Sequence, residues 1–244
     1  MKKIIALILI YFYLAPAINA KPIDSDLSQN QILIDTSFQG QKIFLFGARN
    51  LAGDILVIVR GPKKNFIVRK KEKFAGIWLN KKQMKFYDVN SFYDYYTSFP
   101  LSNINNELLF KNLNIGIENL ALNYSGEAHL EELSNFKGAI LEERISNKLY
   151  KKAPDNISFM GDTLFKTNLT FPKKIPYGIY NVEIYLINDH KITGMQTIPI
   201  EVKKTGFEAF IYNMAHESSL LYGIICVLAA IFAGWFASMI FWKV

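Results

Sequence analysis

Two apolar segments at opposite ends of the chain constrain everything between them. The first, Ile4–Leu14, stands behind Lys2 and Lys3 and ahead of the small residues Ala15, Ala17 and Ala20. A basic start, an apolar run of about 11 residues and a small-residue exit form the pattern of a secretory signal. Residues 1–20 are therefore expected to be removed, with the cut after Ala20 or after Ala17. An uncleaved anchor is the other reading, although the run is short against the ~20 residues of a membrane span. The second segment, Leu220–Trp242, carries no charge. It offers about 23 residues, or roughly 34 Å of helix at ~1.5 Å per residue, against a hydrocarbon core of ~30 Å. Tyr222 and Trp242 suit the two interfaces, and Lys243 beyond them suits an inside end.

These ends predict a single-pass membrane protein whose bulk is exported and whose C-terminus stays inside. The expected layout is a signal at 1–20, a β-rich domain at 21–205, an amphipathic helix at 206–219 and a membrane helix at 220–242. The lone cysteine, Cys226, falls inside the predicted span. The exported body thus has no disulfide and no thiolate metal site, and must be held by an ordinary hydrophobic core.

Within the body, Lys21–Asn30 reads as a polar lead-in. Ile32–Ile34, Lys42–Phe46 and Ile55–Val59 are short apolar runs of the kind buried in a sheet. Gly61-Pro62 closes the last of them, so a strand is expected to end at Arg60. Phe66–Arg69 and Phe74–Leu79 read as further strands, with Trp78 buried between Ile77 and Leu79. The period then changes. Leu109, Leu113, Ile117 and Leu120 recur at helical spacing, weakened by Gly116. Leu130, Leu133, Lys137, Ile140 and Arg144 trace a second helix, ended by Ala153-Pro154.

Strands return with a period of two. Phe165, Thr167, Leu169 and Phe171 share one face; Val182, Ile184 and Leu186 another; Ile198, Ile200 and Val202 a third. The expected fold is mainly β: an immunoglobulin-like antiparallel sandwich with a helical insertion near 102–152, plus one C-terminal transmembrane helix. Phe207, Phe210, Ile211 and Met214 recur at i, i+3, i+4 and i+7, which predicts a short amphipathic helix before the span. It either lies at the headgroup level or packs under the β-domain.

No catalytic constellation is present. His129, His190 and His216 are scattered, and neither a nucleophile elbow nor a phosphate loop occurs. No enzyme activity, metal or cofactor is expected. The strongest polar feature is basic: Arg60, Lys63, Lys64, Arg69, Lys70, Lys71 and Lys73, with Lys81 and Lys82 beyond and Glu72 as the sole acid. A field of one sign attracts lipid headgroups, oxyanions or an acidic partner. The competing reading is that lysines blunt exposed strand edges. Nucleic acid is not an expected partner beyond a membrane. In the span, Ala230, Gly234 and Ser238 place small residues four apart, which lets a second helix approach closely. Partners expected from the sequence are therefore the bilayer and either an integral membrane protein or a second copy of the chain.

Several strings, in order, carry a resemblance. They are Phe38-Gln39-Gly40-Gln41 with Ile43-Phe44-Leu45-Phe46-Gly47, then Val59-Arg60-Gly61-Pro62 and Val68-Arg69-Lys70-Lys71-Glu72-Lys73. Gly76-Ile77-Trp78-Leu79-Asn80, Ser91-Phe92-Tyr93, Gly178-Ile179-Tyr180, Gly206-Phe207-Glu208, Leu221-Tyr222-Gly223 and Gly234-Trp235 follow. Together they resemble the putative transmembrane protein family of alphaproteobacteria, whose function is uncharacterised. The resemblance covers nearly the whole mature chain. It implies inner-membrane residence, an exported β-rich domain and a C-terminal span. Genes of that family often neighbour sulfite-exporter-type permeases, which implies a transport accessory. The family brings no catalytic residues. The expected role is thus a membrane-anchored binding or accessory module acting with an integral membrane partner. The alternative is a cell-envelope structural or adhesive protein.

Overall fold

The computed structural model describes residues 21–74, 76–100, 107–126 and 129–241. The signal segment 1–20, Trp242 and Lys243 lie outside the described residues. Among the described residues, thirteen strands form three sheets. The first has the order β1 (Ile23–Leu27), β3 (Gly40–Arg49), β11 (Leu164–Pro172), β10 (Ser158–Met160). The second has the order β2 (Gln31–Ile34), β13 (Lys191–Lys204), β12 (Gly178–Asn188), β4 (Asp54–Arg60), β7 (Tyr93–Thr97), β9 (Asp155–Asn156). This is the strand order of an immunoglobulin-like domain: the first sheet follows A-B-E-D, and the second follows G-F-C, with β2 added beside G and β7 and β9 beyond C.

Two details strengthen that assignment. The first strand divides, with β1 pairing antiparallel to β3 in one sheet and β2 pairing parallel to β13 in the other. Tyr180, near the start of β12, donates its hydroxyl to the Pro176 carbonyl at 2.6 Å, the tyrosine corner of such domains. Its ring meets Phe171 edge-on at 5.8 Å and Phe92 at 5.7 Å, so one side chain locks the turn and fills the core. Phe165, Thr167, Leu169 and Phe171 do share the buried face of β11, as their spacing predicts. The two sheets bury one common cluster that includes Ile43, Leu45, Val57, Val59, Leu169, Val182, Ile184 and Ile200. Each such side chain removed from water contributes about 1.5–3 kcal/mol.

The structure differs from the sequence reading at several points. Lys21–Asn30 is no loose lead-in, because β1 alternates Ile23, Ser25 and Leu27 inward against β3. Lys42–Phe46 is buried on one face only: Ile43 and Leu45 point in, Phe44 and Phe46 out. The sheets are not wholly antiparallel, since β7 also pairs parallel to β9. Phe74–Leu79 is not one strand. The chain reverses there, with Gly76 at φ +87°, to join β5 (Lys63–Phe74) to β6 (Ile77–Asn90) in a long hairpin. With β8 (Asn123–Ser125) this hairpin forms the third sheet. Trp78, expected in the core, stands near the hairpin's end and is 65 % exposed.

The insertion explains why β4 and β7 are buried on both faces. Leu109 of helix α1 (Glu107–Asn112), Ile115 ahead of the turn at Ile117–Asn119, and Leu149 and Tyr150 near the end of the insertion all join the sandwich core. The helix that holds Leu109 ends at Asn112, short of the spacing through Leu120, and Gly116, at φ +84°, precedes the separate turn at Ile117–Asn119. Helix α2 (Leu130–Ser146) lays Leu133, Phe136 and Ile140 on Met84, Phe86 and Val89 of the hairpin, making a second small core. It ends at Ser146, well before Pro154. Helix α3 (Phe207–Glu217) and the apolar helix α4 (Ser219–Phe241) complete the chain.

Candidate functional site

The basic stretch divides in space. Arg60 ends β4 with its guanidinium turned into the domain, where it pairs with Glu183 and also donates to the Leu113 carbonyl. Tyr185 donates to the same Glu183 carboxylate at 2.7 Å. Arg60 thus ties the insertion to the sandwich and is not presented to an anion in solution. Lys63, Lys64, Arg69, Lys70, Lys71 and Lys73 all lie on β5. Lys70 contacts Glu72 at 3.3 Å, and Lys82, on β6, pairs with Glu132 of α2.

At the root of the hairpin, Lys64 Nζ lies 4.9 Å from the Tyr177 ring centroid, and Lys204, at the end of β13, approaches the same ring at 5.6 Å. A groove of about 320 Å³ between Tyr177, Ile179, Lys203, Lys204 and Tyr212 opens here, beside α3. His129 precedes α2, His190 sits in the β12–β13 turn and His216 stacks on Tyr212 in α3. Among the described residues, no three His, Cys, Asp or Glu side chains gather as a metal ion would require.

Among the described residues, the strongly perturbed carboxyl outside the span is Asp94 on β7, which sequence reasoning passed over. Its oxygens accept the Tyr96 hydroxyl at 2.6 Å and the Tyr95 amide at 2.8 Å, with Lys151 3.8 Å away. Tyr96 in turn accepts the Thr170 amide at 3.1 Å, so the network bridges the two sheets. Burial pushes the Asp94 carboxyl up to about 6, against the Tyr96 hydrogen bond and the Lys151 charge. With both oxygens occupied by protein donors, Asp94 braces the fold.

The folded protein holds the Asp94 proton more tightly than the unfolded chain, whose ordinary value is 3.8. The associated stability is present in full below that value and is lost as pH rises through about 6. We expect wild type to lose at most about 3 kcal/mol from this group between pH 4 and 7, and Asp94→Asn to lose none of it. Urea unfolding of both proteins across that range checks the difference in slope.

The apolar surfaces are more informative. On the outer face of the first sheet, Phe44 and Phe46 stack at 5.9 Å and are 38 % and 43 % exposed. With Met160, Leu164 and Lys166 they line a shallow groove of about 310 Å³. The alternation in Ile43-Phe44-Leu45-Phe46 was the available signal, because a strand buried on one face must show Phe44 and Phe46 on the other. Helix α4 is long and apolar enough to cross a membrane over Ser219–Met239, and no other described residues bury it. A Cβ added to Gly234 would meet nothing within 4 Å.

The family model described as "Putative transmembrane protein (Alph_Pro_TM)" matches residues 22–243, from β1 through α4. The chain belongs to this transmembrane protein family. A search of the curated proteins finds no match. In this member of the transmembrane family, helix α4 is the membrane span, and the small residues Ala230, Gly234 and Ser238 recur along it one helical turn apart.

Proposed function

We propose that the protein is a membrane-anchored accessory module, not an enzyme, whose immunoglobulin-like domain docks on an integral membrane partner. One observation carries this reading: the aromatic face formed by Phe44, Phe46, Met160 and Leu164 on an otherwise finished sandwich. The outer face of an antiparallel sheet is ordinarily polar, and clustered aromatic exposure marks a contact surface. The domain stands in the periplasm, held to the bacterial inner membrane by α4 with its C-terminus in the cytoplasm, after removal of the secretory signal. A sulfite-exporter-type permease is the partner that the family resemblance implies. A structural or adhesive envelope protein is the competing role, and it predicts binding to purified envelope polymers instead.

Co-purification from native membranes in mild detergent tests the proposal. The permease should accompany wild type and should be lost with Phe46→Asp, which places a charge on the docking face. Recovery of the chain alone, or with envelope polymer, overturns it. The span supplies a second expectation. Gly234→Ile should weaken helix association by about 1–2 kcal/mol, because a large side chain separates backbones that small residues let approach. Crosslinking in native membranes at equal protein level measures that loss, and unchanged crosslinking would reduce α4 to an anchor.

A further inference from the structure

The hairpin β5–β6 has no role in the docking reading above, and its position is informative. It leaves the sandwich where the α3–α4 tail leaves. Pro62, just before β5, packs on Gly178 at the start of β12, whose partner Val202 lies two residues before the end of β13. Lys64 and Lys204 meet on Tyr177, so the roots of the hairpin and of the α3–α4 tail sit side by side. From there β5 runs for 12 residues, roughly 40 Å at ~3.3 Å per residue. Its inner half is covered, with Phe66, Val68, Met84 and Phe86 in the second core under α2. Beyond Val68 and Met84 most of the described residues are exposed, and α2 reaches only as far as the Lys82–Glu132 pair.

The uncovered end has a particular chemistry. Ile77 and Trp78 are each about two-thirds exposed and Leu79 about half. Lys73 pairs directly across from Trp78, and Lys71, Lys70 and Arg69 follow along β5. Between Lys63 and Lys85 the chain carries nine Lys or Arg and one acid, Glu72. Leaving three large apolar side chains in water is unfavourable, and a one-sign field of lysines repels another basic surface. A bilayer with anionic headgroups answers both. Trp is at home where one edge of its ring is wet and the other apolar, lysine stems snorkel, and each Lys or Arg near an anionic surface adds to the attraction.

We propose that the hairpin end, through Ile77, Trp78, Leu79 and the flanking Lys71 and Lys73, inserts into the anionic lipid surface of the membrane that α4 spans. The domain is then held at two points, which fixes its orientation over the bilayer. This inference rests on the membrane anchor alone and needs no protein partner.

The test uses the full chain in lipid nanodiscs, with Trp235→Phe and Trp242→Phe leaving Trp78 as the only tryptophan. The discs are phosphatidylcholine alone or mixed with phosphatidylglycerol, each with and without brominated acyl chains. In the anionic discs at low salt, Trp78 emission should shift to the blue and be quenched by bromolipid, and both effects should weaken as salt is raised. Lys71→Glu with Lys73→Glu should lower the inserted fraction on the order of tenfold or more. These side chains are exposed, so circular dichroism should be unchanged. Overturning results are Trp78 open to acrylamide and insensitive to bromolipid in anionic discs, or quenching equal in the two lipids. Shielding of Trp78 in native membranes but not in discs would assign the site to a protein or polymer, and would also overturn the proposal. Since the discs contain no second protein, failure here leaves the permease partnership untouched.

Discussion

Replacing Arg60 with alanine should cost about 3–5 kcal/mol of stability, the scale of removing one partner from a buried ion pair. The Arg60 and Glu183 side chains are each 16 % exposed, so solvent does little to relieve the charge left behind. Among the described residues, loss of Arg60 leaves the Glu183 carboxylate with Tyr185 as its side-chain donor and frees the Leu113 carbonyl from the β4 end. The insertion and the sandwich should loosen together. Arg60→Lys should recover only part of the loss, because an ammonium cannot span two acceptors as a planar guanidinium does. Glu183→Gln added to Arg60→Ala should restore part of it by removing the orphaned charge. Urea unfolding of the three variants measures these differences, and an Arg60→Ala protein as stable as wild type would show the pair to be incidental.

Gly47→Val should be comparably damaging for a steric reason. A Cβ at position 47 would lie 2.5 Å from Phe165 Cζ, 2.6 Å from Ser25 Cβ and 2.7 Å from the Asp24 carbonyl oxygen. Phe165 is a buried core ring and the Asp24 oxygen is backbone in the neighbouring strand, so neither retreats cheaply. Overpacking of this kind costs about 3 kcal/mol or more at its upper end. The damage should fall on β1, the edge strand, and thermal melts should show a lowered midpoint. Gly138→Ala in α2 is the control. Nothing lies within 4 Å of the added methyl, and alanine favours helix by up to about 1 kcal/mol over glycine.

The sandwich was legible because its strands obey simple rules. Phe165, Leu169 and Phe171 alternate with polar residues, and Ile55–Val59 is apolar throughout because layers cover both faces of β4. Arg60-Gly61-Pro62 ends a strand as proline requires. Helices α2, α3 and α4 followed from spacing and hydropathy. What escaped the sequence depended on layers contributed by distant segments. Trp78 looks like a core residue among Ile77 and Leu79, and only the length of the hairpin removes it from any core. Phe44 and Phe46 sit in an apolar run whose two faces differ in what packs on them. Tyr93-Asp94-Tyr95-Tyr96-Thr97 has no alternation, since Tyr93 reaches the insertion at the Asn114 carbonyl while Tyr96 reaches β11. The basic stretch was visible as charge, but not that Arg60 would be consumed by Glu183 while the lysines project on an arm. Linear sequence gives the inventory of charges; pairing depends on contacts 123 residues apart.

These surfaces give the molecule a consistent logic. The core and the Asp94 and Arg60 networks make a rigid domain, α4 holds it to the membrane, and exposed aromatics remain for contacts outside the chain. The aromatic face is where the account stands or falls. A photocrosslinking amino acid placed at Phe46 in the full chain, activated in native membranes, tests it most directly. The account predicts an adduct with a polytopic membrane protein of the permease type. No adduct at full protein level, or adducts with envelope polymer alone, would contradict it.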